Sequence, residues 1–241
     1  MLYKTRGIVL RTVNYSDTSI IAKIYTEEFG IQSYLIKGAK RKNASIKANL
    51  FQPLSLLDLV VYNKEKKKLQ ILKEVSMEVH FTSIPSDPAK ASIVFFLNEI
   101  LLKCLQEEEN NPELFSFLHE SMETLESAEK NFSNFYLIFL VRLARFLGFY
   151  PQGKCSEAFP YFDLQEGKFV KTEPLHPDFL DKQNSILLSS IITGNYYSME
   201  SLAISGKERK HLLDILLHFY QLHLSNMGSL TSHKVLEQVF A

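Results

Sequence analysis

Along the first eighty residues the apolar positions recur with a period of two, broken by short polar turns. Residues 5–13 are rich in β-branched side chains and stop at Asn14-Tyr15-Ser16-Asp17. In residues 18–26, Ile20, Ala22 and Ile24 fall on one face, while Ser19, Lys23 and Tyr25 fall on the other, the alternation of a strand. Glu27-Glu28-Phe29-Gly30 makes the next turn, and residues 31–37 resume the extended pattern. Residues 54–62 and 69–77 follow, joined through Asn63-Lys64-Glu65-Lys66. Five short strands with no long helical period predict a small closed barrel. An OB-fold and an SH3-like barrel both fit that pattern, and the OB-fold is the commoner.

Beyond Ile84-Pro85-Ser86-Asp87-Pro88 the period changes to that of a helix. Asp87 then Pro88 supplies an N-cap followed by proline at the first helical position. Ala89, Ile93, Phe96, Leu97, Ile100, Leu101 and Cys104 then recur at helical spacing. Asn111-Pro112-Glu113 opens a second helix in the same way. A third runs over about residues 134–147, with Phe135, Phe139, Leu140 and Leu143 on its buried face, Arg142 and Arg145 on the other, and Gly148 at its end. Ser205-Gly206-Lys207-Glu208 is a capping box that starts a long helix reaching about residue 225. Residues 158–164 and 168–170 interrupt these helices as a hairpin turning at Gln165-Glu166-Gly167. The expected fold class is therefore α+β. A five-stranded barrel over 1–82 precedes an all-α domain over 83–241, with an inserted hairpin at about 151–175.

Composition adds one thing that its totals hide. Lys plus Arg and Asp plus Glu are each 27, yet residues 1–81 hold 14 basic side chains against 7 acidic ones, and the remainder holds 13 against 20. A balanced chain that sorts its charges by region presents a positive surface to a polyanion. The 46% apolar and 22% charged content is that of a globular domain, and the longest apolar run, residues 135–141, falls well short of a membrane span. No signal-peptide layout opens the chain, and the two cysteines, Cys104 and Cys155, read as free thiols, so a cytoplasmic protein with no membrane association is expected.

Within the basic region, residues 37–47 carry Lys37, Lys40, Arg41, Lys42 and Lys47 with no acid among them. Such a run serves equally as a solvated face. Its place after a barrel strand, with Arg6, Arg11 and Lys23 on neighbouring strands, points instead to a nucleic-acid surface. Tyr25 and Tyr34 lie close by in sequence, and rings interleaved with cations suit a single strand, whose bases stack while its phosphates pair; the same rings would equally fill a barrel core. Lys64, Lys66, Lys67 and Lys68 form a second cluster, which also reads as edge protection at a hairpin tip. Gly148-Phe149-Tyr150-Pro151-Gln152-Gly153-Lys154-Cys155 nearly spells a phosphate loop. It ends in Cys where magnesium needs Ser or Thr, it follows a helix, and Pro151 removes an amide from the cradle. Cys155 has no partner cysteine and only His176 as a helper, so no metal and no other cofactor is expected. His211 and His218, at i and i+7, and His119-Glu120 read as surface positions. No hydrolase or metalloprotease motif is present, so the chain is expected not to be an enzyme. An enzyme with a site between the domains is the contrasting class, and a cleft of convergent polar groups would mark it.

These residues, taken in order, resemble the bacterial RecO recombination mediators. The resemblance is carried by Gly7-Ile8-Val9-Leu10, Tyr15-Ser16-Asp17-Thr18-Ser19, Tyr25-Thr26 with Phe29-Gly30, Lys37-Gly38-Ala39-Lys40-Arg41 and Leu50-Phe51-Gln52-Pro53. Phe146-Leu147-Gly148-Phe149-Tyr150-Pro151 continues it, as do Tyr220-Gln221-Leu222-His223-Leu224 and Ser232-His233-Lys234-Val235-Leu236. It implies an N-terminal OB-fold, a helical C-terminal domain and a zinc-ribbon-like insertion, here left with Cys155 alone. It also implies binding of single- and double-stranded DNA, strand annealing, and work with RecR and in some settings RecF. The outcome implied is loading of RecA onto DNA coated with single-strand-binding protein, whose acidic tail meets the helical domain. DNA contact is carried over to Lys37, Lys40 and Arg41. The contrasting binding module is an RNA-directed OB-fold protein with a helical interaction domain.

Overall fold

The computed structural model describes residues 1–64, 67–105 and 110–240. Lys66, one member of the second lysine cluster, lies outside them. Five strands come first: β1 (Leu2–Asn14), β2 (Ile20–Thr26), β3 (Gly30–Ile36), β4 (Leu56–Tyr62) and β5 (Leu69–Met77). They close in the order β1-β2-β3-β5-β4, with β4 returning to pair with β1. All pairs are antiparallel except β3 with β5. This strand order with one parallel pair is the OB-fold arrangement, which decides between the two barrels that the alternation allowed.

The inward face is the one the alternation marked. Val9, Ile20, Ala22, Ile24, Tyr34, Ile36, Leu57, Leu59, Val61 and Leu72 are buried in one cluster. A β-bulge between Val9 and Arg11 adds the extra residue that lets β1 bend from one neighbour to the other. Gly7 sits where strands crowd: a Cβ there would come within 2.6 Å of Leu59 Cδ1 and 2.7 Å of Ile24 Cγ2.

Two compact units divide the chain, Met1–Ser127 and Ala128–Ala241. The first therefore includes α1 (Ser83–Ser86), α2 (Pro88–Cys104) and α3 (Pro112–Ser127) along with the barrel. Asp87 caps α2 as expected, its carboxylate accepting from the amides of Ala89 and Lys90. Asn111 caps α3 through the amide of Leu114 at 3.0 Å. Glu126 near the end of α3 accepts from the amides of Thr82, Ser83 and Ile84, which serves the orphan donors of α1. His119 corrects the surface assignment: it is 8% exposed on α3, with Nε2 3.0 Å from Glu78 Oε1 and Nδ1 3.2 Å from Glu123 Oε2.

In the second unit, α4 (Phe135–Phe146) is the hub, and its apolar run fills a protein core rather than a bilayer. Gly148, at φ +87°, closes it with a Schellman pair: the amide of Phe149 donates to the Ala144 carbonyl, and that of Gly148 to Arg145. The expected hairpin is β6 (Tyr161–Asp163) with β7 (Lys168–Val170), and β8 (Phe179–Leu180) extends it to three strands. The phosphate-loop lookalike runs beside this sheet, where Gln152 exchanges backbone hydrogen bonds with Gly167 and Phe169. Three more helices follow: α5 (Lys182–Thr193), α6 (Gly206–His223) and α7 (His233–Val239). α6 opens with the full capping box of Ser205 and Glu208, and its Tyr220 hydroxyl donates to the Leu140 carbonyl at 2.6 Å. His211 and His218 are solvent-facing, as expected, and contact Asn184 and Asp178.

Candidate nucleic-acid interface

The basic loop after β3 is anchored, and its anchors decide which side chains face water. Ala39 and Phe51 are buried in the barrel cluster, with Ile46, Ala48 and Leu50 packed partly against it. Backbone bonds fix the rest: the Lys40 amide donates to the Thr18 carbonyl, that of Arg41 to Gly38, that of Ala44 to Arg41, and that of Ala48 to Ala39. Gly38 takes φ +71°, the left-handed region that a residue with a Cβ adopts only under strain. With the small apolar residues turned inward, Lys37, Lys40, Arg41, Lys42 and Lys47 are all exposed. The turn before β2 supports this loop through Thr18 and carries Tyr15, which is 59% exposed. Tyr15 is the ring that the strand pattern missed, because it lies in a turn.

Arg11 and Lys23 are brought together. They are cross-strand partners on β1 and β2, and the next partner along the row is Ser33 on β3. Strands β1, β2 and β3 contain no acidic residue at all. Among the described residues, no carboxylate pairs with Arg11, Lys23, Lys37, Lys40, Arg41, Lys42 or Lys47. A cation without a protein counter-charge keeps its full attraction for a phosphate. The opposite character appears around β4 and the 27–28 turn, where Glu27, Glu28, Asp58 and Glu74 line a groove of about 790 Å³ with Lys4 and Arg6.

Two sequence-predicted residues do not join the face. Arg6 reaches into the acidic groove and is held there. Its Nε donates to Glu27 Oε2 at 2.8 Å and its Nη2 to Glu27 Oε1 at 2.6 Å, while Nη1 lies 3.4 Å from Glu78 Oε1. The guanidinium also sits 5.2 Å over the Phe115 ring. That bidentate grip holds the Glu27 carboxyl below the usual carboxylate range. Tyr34 is 0% exposed, so its ring offers no surface to a base; burial in the barrel pushes its phenol pKa upward. Tyr25 is likewise enclosed, tilted against Phe115 with its hydroxyl donating to the Asn111 carbonyl at 3.3 Å. Of the two uses open to these rings, both serve the core.

The remaining chemistry is sparse. Burial pushes the Cys104 thiol up to about 12, and the Cys155 thiol is raised for the same reason. Neither cysteine is in a disulfide. His176 lies 3.2 Å from Asp163, whose other oxygen caps the β6–β7 turn through the amides of Gln165 and Glu166. Among the described residues, no three His, Cys, Asp or Glu side chains converge as metal ligands would, and no helix is long and apolar enough to cross a membrane.

Comparison with known proteins places the chain in a family. Residues 1–80 match the family model for the recombination protein O N terminal region, and residues 85–231 match that for its C terminal region. A DNA repair protein RecO from Azobacteroides pseudotrichonymphae is 37% identical over 240 residues, covering all of both chains. Those of Phocaeicola vulgatus and Bacteroides fragilis are each 38% identical over 241 residues, again end to end. With both regions matched in order and relatives aligned over their whole length, the chain belongs to the recombination protein O (RecO) family.

Proposed function

We propose that the chain is a DNA-binding recombination mediator in recombinational repair. It binds single-stranded and double-stranded DNA on the barrel face built from the acid-free strands β1, β2 and β3 and anneals complementary strands. With RecR, and with RecF in some settings, it helps RecA load onto DNA coated with single-strand-binding protein. The barrel, residues 1–82, takes the DNA; the helical part, residues 83–241, faces protein and takes the acidic tail of the single-strand-binding protein. The net negative charge of that part disfavours DNA over much of its surface and supports this division.

The observation that carries the reading is the set of cations with no carboxylate partner among the described residues, Arg11 and Lys23 on strands that contain no acid and Lys37, Lys40 and Arg41 in the loop after β3. Binding through such a face needs no covalent step, so the chain acts as a mediator rather than an enzyme, in the cytoplasm. The names of the full-length relatives, DNA repair protein, support the same reading. The test is annealing of complementary strands coated with single-strand-binding protein, followed with and without this chain. Faster annealing with the chain is expected; an unchanged rate would refute the reading.

A further inference from the structure

The outward face between the cations is not polar. Following cross-strand partners around the barrel from Val13 on β1 leads to Ile21 on β2, Leu35 on β3, Ile71 on β5, Tyr62 on β4 and back to Leu2 at the start of β1. Residues directly opposite in a sheet share a face, so these six form one continuous row. They are outward: Val13 is 39% exposed and Ile71 48%, while Ile21 and Leu35 are half-buried. The row is flanked on both sides by charge. Arg11 and Lys23 stand two residues away along β1 and β2, one pleat repeat or about 6.7 Å. Lys37 stands two residues beyond Leu35 on the other side, followed by Lys40 and Arg41.

A strip of exposed apolar side chains between cations, aliphatic apart from Tyr62, fits one class of occupant on charge grounds. The cations call for a polyanion, and the strip calls for flat apolar groups carried by that same polyanion. An unpaired nucleic-acid strand has both, whereas a duplex hides its base faces in the stack and offers this strip only sugar and phosphate. We infer that Val13, Ile21, Leu35 and Ile71 form the floor on which the bases of a single strand lie, while Arg11, Lys23, Lys37 and the loop hold its phosphates. This rests on the reading of the face as DNA-binding, and it supplies by aliphatic side chains what the enclosed Tyr25 and Tyr34 do not.

The test compares a 20-nucleotide strand with an abasic strand of equal length, which keeps every phosphate and removes every base. Covering roughly 40 Å² of the floor per base corresponds to about fivefold in affinity for each base seated. The full protein is therefore expected to bind the normal strand at least about fivefold more tightly than the abasic one at the same salt, with equal salt slopes. The double variant Val13→Ser with Ile71→Ser, at the two exposed positions, is expected to bring the two affinities within about twofold while leaving the melting temperature near wild type. Equal wild-type affinities for the two strands would overturn the floor. So would a ratio that survives the double substitution. No binding to either strand would instead refute the DNA-binding reading beneath it.

Discussion

Replacing Lys37, Lys40 and Arg41 together by Ala separates the electrostatic contribution of the loop from that of the rest of the barrel. All three side chains are exposed and none pairs with a carboxylate among the described residues, so their removal exposes no buried group and opens no cavity. Ala39, Ile46 and Phe51, which hold the loop down, are untouched. On a single strand each phosphate contact contributes about 0.7 to the slope of log affinity against log salt, so three lost contacts flatten that slope by about 2. Over the decade between 0.1 M and 1 M salt, a difference of 2 in slope amounts to about 100-fold in affinity. The variant should therefore bind about 100-fold more weakly near 0.1 M salt, and its line should meet that of the wild type near 1 M. Fluorescence anisotropy of a labelled strand over a salt series measures both, with thermal melting as the check on folding. Parallel lines, or equal affinity at 0.1 M, would remove the loop from the interface.

Substitutions at three further positions test the parts of the molecule that the face leaves out. Arg6→Met should leave the salt slope of DNA binding unchanged and lower stability by about 1–2 kcal/mol, as for a half-exposed bidentate pair whose acids lose their cation. Because Arg6 holds the Glu27 carboxyl below its ordinary range, this contribution is complete above about pH 5 and fades as pH falls through the lowered Glu27 value. Denaturant unfolding at several pH values should accordingly show the wild-type and Arg6→Met curves converging in acid. Tyr34→Phe should leave strand affinity at the wild-type level, since the ring fills the barrel; Tyr34→Ala should cost about 3–5 kcal/mol of stability by the cavity it leaves. A large affinity loss in a folded Tyr34→Phe protein would return that ring to the site. Gly7→Ala should lower stability by about 1–3 kcal/mol in the same unfolding assay, because its methyl meets Leu59 and Ile24 inside contact distance.

Local chemistry was legible in the sequence wherever a few adjacent residues decide the outcome. The caps at Asp87, Asn111 and Ser205 formed as read, and so did the Gly148 stop, because a cap is completed within about three residues of itself. Strand phase was legible too, since a buried face imposes alternation whatever its partner. What the chain did not disclose are contacts made at long range. Arg6 is separated from Glu27 by 21 positions and from Glu78 by 72, and nothing near Arg6 in sequence marks it as paired. His119 looked like one more polar residue on an amphipathic helix until Glu78 was brought against it. The two-residue β8 and the helix α5 carry weaker periodic signals and depend on packing in the second unit.

The tyrosines show how barrel closure chooses between the two uses that their pattern left open. Stacking on a base needs a ring with one free face, and a strand in a closed barrel gives alternate residues opposite fates. Tyr34 shares the inward phase of Ile36, so closure alone consigns it to the interior. Tyr25 has the outward phase of Lys23, but α3 lies over that end of β2 and Phe115 covers the ring. The outward positions left uncovered on this face are Val13, Ile21 and Leu35 with their flanking cations. The charge half of a single-strand site thus survives folding apart from Arg6, while its apolar half passes from Tyr25 and Tyr34 to the aliphatic side chains of the outward row. The loss of preference for a base-bearing strand in the Val13→Ser, Ile71→Ser protein is the measurement that tells these two halves apart.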